Sequence, residues 1–352
     1  MQKITLELPI RSLIHALELV EAGVYPSVDD LVAAAIEAVR ASPEVARNLR
    51  PEGQTSSFVQ LPPRVRFILE EADFGDPPIV DAQSTTILPH PLLPITISRF
   101  FAAKPILRLL ARSLANANQE YLRTADFRDL LRHKAFSWTD SLRRLDLEGD
   151  RPKGERLSTT FPTVDREEGK SMVRFLEAYV GSAYAGTPRV GGLLPFLGFV
   201  SLVGRGGEER IGITAFGLDF ARSPNPVLDE AEPAFPPFRN EEVALLLSAI
   251  RRRSPDEWQH IQYYVRTIAG AGSASRNMLV QRMRSFYVRF WSPLALSKGM
   301  VESLTATVHS RCQELGFVRT RREGRISSYA VTEVGSRWLA TEVPEEGGGG
   351  ST

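Results

Sequence analysis

Residues 315–339 read LGFVRTRREGRISSYAVTEVGSRWL, and a degraded copy of the same pattern stands at residues 197–220, LGFVSLVGRGGEERIGITAFGLDF. Leu-Gly-Phe-Val at 197–200 matches Leu-Gly-Phe-Val at 315–318. Gly206 matches Gly324, Thr214 matches Thr332 and Gly217 matches Gly335, and a bulky aromatic, Phe220 or Trp338, closes each copy. Every pair is 118 residues apart without a gap, a register that chance apolar matching rarely gives, so the chain reads as a tandem duplication. Each unit has a physical logic. A helix ends near Leu315, Gly316 frees the backbone for a stop, Phe317 and Val318 open a strand, and charged residues around Gly324 form a turn. Tyr329 and Val331 then alternate inward on a return strand, and Thr332 caps a short helix bearing Trp338.

Helix, strand, basic turn, strand and helix in this order resemble the second half of a winged-helix domain, in which a recognition helix precedes a two-stranded wing. The resemblance covers about 50 residues per copy and implies binding of double-stranded DNA. The helix before the second hairpin places Val301, Leu304, Val308, Cys312 and Leu315 on an inward stripe. Ser303, Thr307, Ser310 and Arg311 are left to face a groove, with Arg319, Arg321, Arg322 and Arg325 on the wing. The first copy has TPRVGGLLPF where that helix should be; Gly191, Gly192 and Pro195 make it a poor recognition helix, so it is expected to be architectural.

The first forty residues carry a second resemblance. Lys3 to Leu8 alternates, with Ile4, Leu6 and Leu8 on one side, and a helix follows with Leu13, Leu17 and Val20 at helical spacing. Gly23 falls near its end, and Ser27 caps a second helix with Asp30 as its box partner. Strand, helix, turn and helix resemble the ribbon-helix-helix family of Arc, MetJ and antitoxin repressors, which implies an intertwined homodimer held by Ile4, Leu6, Leu8, Leu13, Leu17 and Val20. The same resemblance turns Lys3 and Thr5 toward DNA. Glu7, Asp29 and Asp30 depart from a DNA-reading pattern, and residues 1–40 hold three basic against six acidic side chains.

These readings divide the chain into six stretches: a dimerisation module (1–40), a linker and proline-rich irregular segment (41–105), a first winged-helix-like domain (106–222), a proline-rich linker (223–238), a second, basic winged-helix-like domain (239–340), and a tail (341–352) ending in a linker-like GGGGST. The fold class is mainly α with small β-hairpins, α+β. Within the first domain, Lys104, Arg108 and Arg112 recur every fourth residue, which predicts a basic face and makes Arg108 and Arg112 secondary DNA contacts.

The formal net charge of +1 hides an asymmetry, since residues 239–340 hold 16 basic against 8 acidic side chains. That imbalance favours a polyanionic partner for the C-terminal third. A single cysteine, Cys312, excludes an internal disulfide and suits a reducing cytoplasm, and no apolar run is long enough to span a membrane. No cofactor, metal site or catalytic constellation is expected. The five histidines fall in no metal-ligand spacing, and Gly169-Lys170-Ser171 lacks the first glycine of a phosphate-binding loop because Val164 stands there. Asp165, Glu167 and Glu168 beside it would repel phosphate, and Ser171 is expected to cap the next helix. The sequence therefore reads as a non-enzymatic, dimeric, cytoplasmic transcriptional regulator; the alternative is an assembly or adaptor subunit of a nucleoprotein complex that docks other protein subunits.

Overall fold

A computed structural model of the chain describes residues 74–82, 92–162, 169–182, 191–204, 208–230, 234–292, 294–323 and 326–342. All of them belong to one compact unit, Arg64–Thr352. The ribbon-helix-helix-like stretch, including Lys3, Thr5 and every dimerisation residue named above, lies outside the described residues.

The fold is mainly helical with two small antiparallel sheets. The first half runs α1 (Ala103–Ala117), β1 (Leu122–Arg123), α2 (Thr124–Glu148), two short 3-10 turns (Lys153–Glu155 and Leu157–Thr160), α3 (Lys170–Tyr179), α4 (Leu193–Leu197), β2 (Val200–Val203), β3 (Arg210–Ile213) and α5 (Ala215–Arg222). In the second half come α6 (Asn240–Arg253), α7 (Pro255–Ala271), β4 (Ala274–Ser275), α8 (Arg276–Tyr287), α9 (Lys298–Glu314), β5 (Val318–Glu323), β6 (Ile326–Val331) and α10 (Glu333–Glu342). Strand order is β1-β3-β2 in one sheet and β4-β6-β5 in the other, so each half adds a short strand to the outer edge of its hairpin.

The 118-residue repeat is preserved atom for atom at its hinge. Gly198 and Gly316 end their helices in the left-handed region, at φ 73° and 74°. The Thr214 hydroxyl donates to the carbonyls of Gly198 and Phe199, and that of Thr332 donates to those of Gly316 and Phe317. Both hydroxyl oxygens accept from the amide three residues on, Gly217 and Gly335, at 3.0 Å. A Cβ at either glycine would collide with the carbonyl of Phe199 or Phe317. Because the helix start can then press against the strand, Phe199 stacks on Phe220 at 4.8 Å and Phe317 on Trp338 at 4.4 Å.

The halves differ in the helix before the hairpin. α4 has five residues, all buried, whereas α9 has 17 with an exposed side. Gly192 and Gly181 explain the shortness of α4: their backbones meet so closely that neither tolerates a Cβ.

Two expectations need correction. Residues 223–238 are not a free linker in their described part, because Asn225, Val227 and Leu228 are buried in the common core. Asn225 Oδ1 accepts from the amides of Val227 and Leu228, and its Nδ2 donates to Glu242 at 3.0 Å. Proline density excludes helix there without implying exposure. The described part of 92–102 is irregular, as its prolines predict, and Leu92, Leu93, Ile97, Phe100 and Phe101 lie in the core. A lesser correction concerns α3, whose N-terminus has Gly169 and no side-chain cap, so Ser171 does not cap it.

Buried charges tie the halves together. Lys104 on α1 pairs with Glu242 on α6 at 2.9 Å, both fully enclosed, and Arg108 is bidentate to Asp229 at 2.6 and 2.7 Å. Burial lowers the Lys104 pKa to about 8, the Glu242 carboxylate working against that shift. Replacing Gly217 or Gly335 by Ala is expected to cost more than about 2 kcal/mol, by forcing a Cβ into a carbonyl. Thr214→Val or Thr332→Val should cost about 1–2 kcal/mol through the lost cap. Urea unfolding of each variant checks both, and equal losses at the paired positions are the signature of a true repeat.

Candidate nucleic-acid interface

The surface with the strongest claim to a polyanion is built from α8, α9 and the β5–β6 hairpin. Ser275 and Ser297 cap α8 and α9, accepting from the amides of Met278 at 3.3 Å and Met300 at 3.1 Å. Glu302 stands between the two helix starts, 4.0 Å from Arg276 and 3.9 Å from Lys298. Both positive helix ends therefore open on the same surface, where anions are favoured.

Of the residues assigned to the groove, Ser303 is exposed and Ser310 half-buried, with the Ser310 hydroxyl donating to Ala306 O at 3.1 Å. Thr307 is buried and bonds back to Ser303 O at 2.8 Å, a local bond that competes with outside partners. Arg311 is the clear reversal. It is 1% exposed, pairs with Glu257 at 2.6 Å and donates to the carbonyls of Ile97 at 2.8 Å and Pro94 at 2.9 Å. Burial opposes charge on Glu257, yet Arg311, His260 and the Leu93 amide together hold its carboxyl below the ordinary range. A guanidinium with a buried carboxylate and several carbonyls around it has no reason to meet DNA.

On the hairpin, Arg319 and Arg321 are exposed. Thr320 faces α9, its hydroxyl 3.1 Å from His309 Nε2 and accepting from Gln313 Nε2 at 3.0 Å. Strand alternation then sends Arg319 and Arg321 to the opposite side of the hairpin from α9. The Arg322 side chain and Arg325 lie outside the described residues. Neither secondary contact is a free basic face: Arg108 is enclosed by Asp229 and the Ala221 carbonyl, and Arg112 is half-buried and engaged.

The sequence did hold a signal that periodicity passes over. From Trp258 to Val301 there is no Asp or Glu, while Arg266, Arg276, Arg282, Arg284, Arg289 and Lys298 all fall in that span and are all exposed. Arg276, Arg282 and Arg284 lie on α8, whose solvent side also shows Asn277, Gln281 and Ser285. Arg289 lies over Phe286 and Phe290 and donates to Gln259.

A cavity of about 540 Å³ opens between α8, α9, the hairpin and the 152–155 turn. His309 crosses its wall, with Nδ1 2.9 Å from the Tyr264 hydroxyl and the ring 4.4 Å from Tyr329. Burial, reinforced by the Arg99 charge, lowers the His309 pKa to about 4. Elsewhere, His260 is buried with Nε2 3.0 Å from Tyr287 Oη, and Cys312 is buried with its thiol pushed well above the ordinary range. Among the described residues no three His, Cys, Asp or Glu side chains gather as a metal site, and no helix is long and apolar enough to cross a membrane.

Arg311→Met should cost about 3–5 kcal/mol in urea unfolding by stranding Glu257, and Arg311→Met with Glu257→Gln should cost less. A role confined to DNA would leave stability unchanged. His309 is neutral in the fold and protonates below about 6.5 when unfolded, so its contribution is present above pH 6.5 and lost as pH falls toward 4. His309→Gln should therefore flatten the stability profile across that window, by at most about 3 kcal/mol.

Comparison of the chain with known protein families, with curated proteins and with solved structures found no match.

Proposed function

We propose that the chain is a non-enzymatic duplex-DNA-binding protein, a dimeric transcriptional regulator in which residues 1–40 pair two protomers and the second half binds DNA as a winged-helix unit. The observation that carries this reading is the acid-free run Trp258–Val301 with six exposed cations, set where two capped helices begin. Supporting it, α7, β4, α8, α9, β5 and β6 follow one another in the order of a winged-helix domain, with β4 added at the edge of the hairpin. DNA contact then moves from Arg311 and the wing to α8 and the first turns of α9, and Arg319 and Arg321 are left to flank it.

A second reading has its own observation. Leu294 is fully exposed and Val288 is 43% exposed, next to the half-buried rings of Phe290 and Trp291. An apolar cluster of this kind suits an adaptor that docks another protein subunit.

Fluorescence anisotropy with a labelled duplex between 50 and 200 mM salt separates the two. If Arg276, Arg282, Arg284 and Lys298 each neutralise a phosphate, the logarithmic salt slope is about −3.6 per protomer. Arg282→Glu with Arg284→Glu should weaken binding at least tenfold, and Arg321→Glu should weaken it less. Absent or salt-independent binding contradicts the DNA reading and favours the adaptor.

A further inference from the structure

The cavity of about 540 Å³ beside α9 takes no part in the DNA reading. We propose that it binds a small uncharged aromatic carbonyl compound, an amide or its ring equivalent. Its volume falls in the range of about 300–1,000 Å³ that small-molecule sites occupy. The second half supplies α8, α9 and the hairpin to its wall, and the first half supplies the 152–155 turn. Arg99 holds that turn in place, donating to Gly154 O at 2.6 Å while it faces Glu314 of α9 at 3.5 Å. Leu279 and Val280 of α8, Ala306 of α9 and the Tyr329 ring give apolar walls that suit a flat ring.

A chain of four polar side chains, all lining the cavity, sets the chemistry of the ligand. Tyr264 Oη is 2.9 Å from His309 Nδ1, His309 Nε2 is 3.1 Å from Thr320 Oγ1, and Gln313 Nε2 donates to Thr320 Oγ1 at 3.0 Å. With His309 neutral, Tyr264, His309 and Thr320 bring three protons to two contacts, because Gln313 supplies the third contact. The Tyr264 hydroxyl is enclosed and meets no other acceptor among the described residues, so it donates to Nδ1. Nε2–H then donates to Thr320, whose oxygen accepts twice and whose own proton has no described acceptor. Gln313 is 2% exposed, yet its Oε1 accepts from no described residue. Turning the Gln313 amide over passes the surplus to its NH2 group, so a donor is left in either orientation.

A ligand amide answers both groups, its carbonyl accepting from Thr320 and its N–H donating to Gln313 Oε1. Charge selects against an acid. Arg276 stands 4.0 Å from Glu302, Glu155 also lines the cavity, and His309 is neutral, so the described lining residues carry no surplus of cations.

Saturation-transfer NMR on the full chain, with benzamide as the probe and benzoate as its charged counterpart, tests the site. Benzamide is expected to bind saturably with a Kd of about 1 mM, and benzoate at least tenfold more weakly. Ala306→Phe, at an exposed position of α9, should fill the cavity and abolish benzamide binding while the Tm stays that of the parent. Thr320→Val should weaken benzamide at least fivefold, whereas Thr320→Ser, which keeps the hydroxyl, should bind as the parent does. Loss of DNA binding would leave all of these results unchanged, so the two readings fail separately. Absence of benzamide binding to the parent, undiminished binding by Ala306→Phe, or equal affinities of Thr320→Val and Thr320→Ser overturns the proposal. Benzoate binding as tightly as benzamide also overturns it, because Arg276 would then be holding an anion.

Discussion

Arg311 meeting Glu257 at 2.6 Å inside the protein is the contact on which the arrangement depends. The guanidinium reaches from α9 past α7 to the carbonyls of Leu93, Pro94 and Ile97, so it fastens the irregular segment ahead of α1 onto the second half. Glu314, one turn further along α9, accepts from the amides of Phe100 and Phe101 and faces Arg99 at 3.5 Å. Lys104–Glu242 and Arg108–Asp229 do the same work from the α1 side. Charges removed from water in this way stabilise only as complete sets, which makes the junction specific and intolerant of losing one partner.

This junction decides what is left for function. It claims Arg108, Arg311 and Lys104, three of the basic side chains that a count of charge would offer to a polyanion. The inner end of α9 is closed by the first half, with Gln313 and Glu314 buried. The outer ends of α8 and α9 stay open, and the cations there fall in a run of 44 residues without Asp or Glu, with Glu302 just beyond it standing between Arg276 and Lys298. In the first half the helix before the hairpin, α4, has five residues, all buried, and so shows no side of its own to solvent.

What the sequence made legible was local. The 118-residue spacing gave both hairpins, Thr332 caps the helix it was expected to cap, and the apolar stripe Val301, Leu304, Val308, Cys312 and Leu315 is buried as spacing requires. What was illegible was nonlocal. Arg311 sits at a position that helical spacing turns outward, and only the packing of residues 93–97, more than 210 positions earlier, makes it interior. Lys104 and Arg108 recur like a solvated basic face, yet their partners Glu242 and Asp229 are 138 and 121 residues away. Prolines at 223–238 declared an absence of helix correctly and said nothing about Asn225 being enclosed. The acid-free run from Trp258 to Val301 is a signal of a different kind, the absence of a residue type, to which motif spacing and periodicity are blind.

Buried charges join the two halves into a single cooperative body. Native-state hydrogen exchange tests this most directly, by comparing the slowest amides of α1 with those of α7. Opening with a common free energy, lowered by the same amount in both helices when Arg311 is replaced by Met, is the predicted result. Exchange of α7 through a separate, lower-energy opening while α1 remains protected would contradict it.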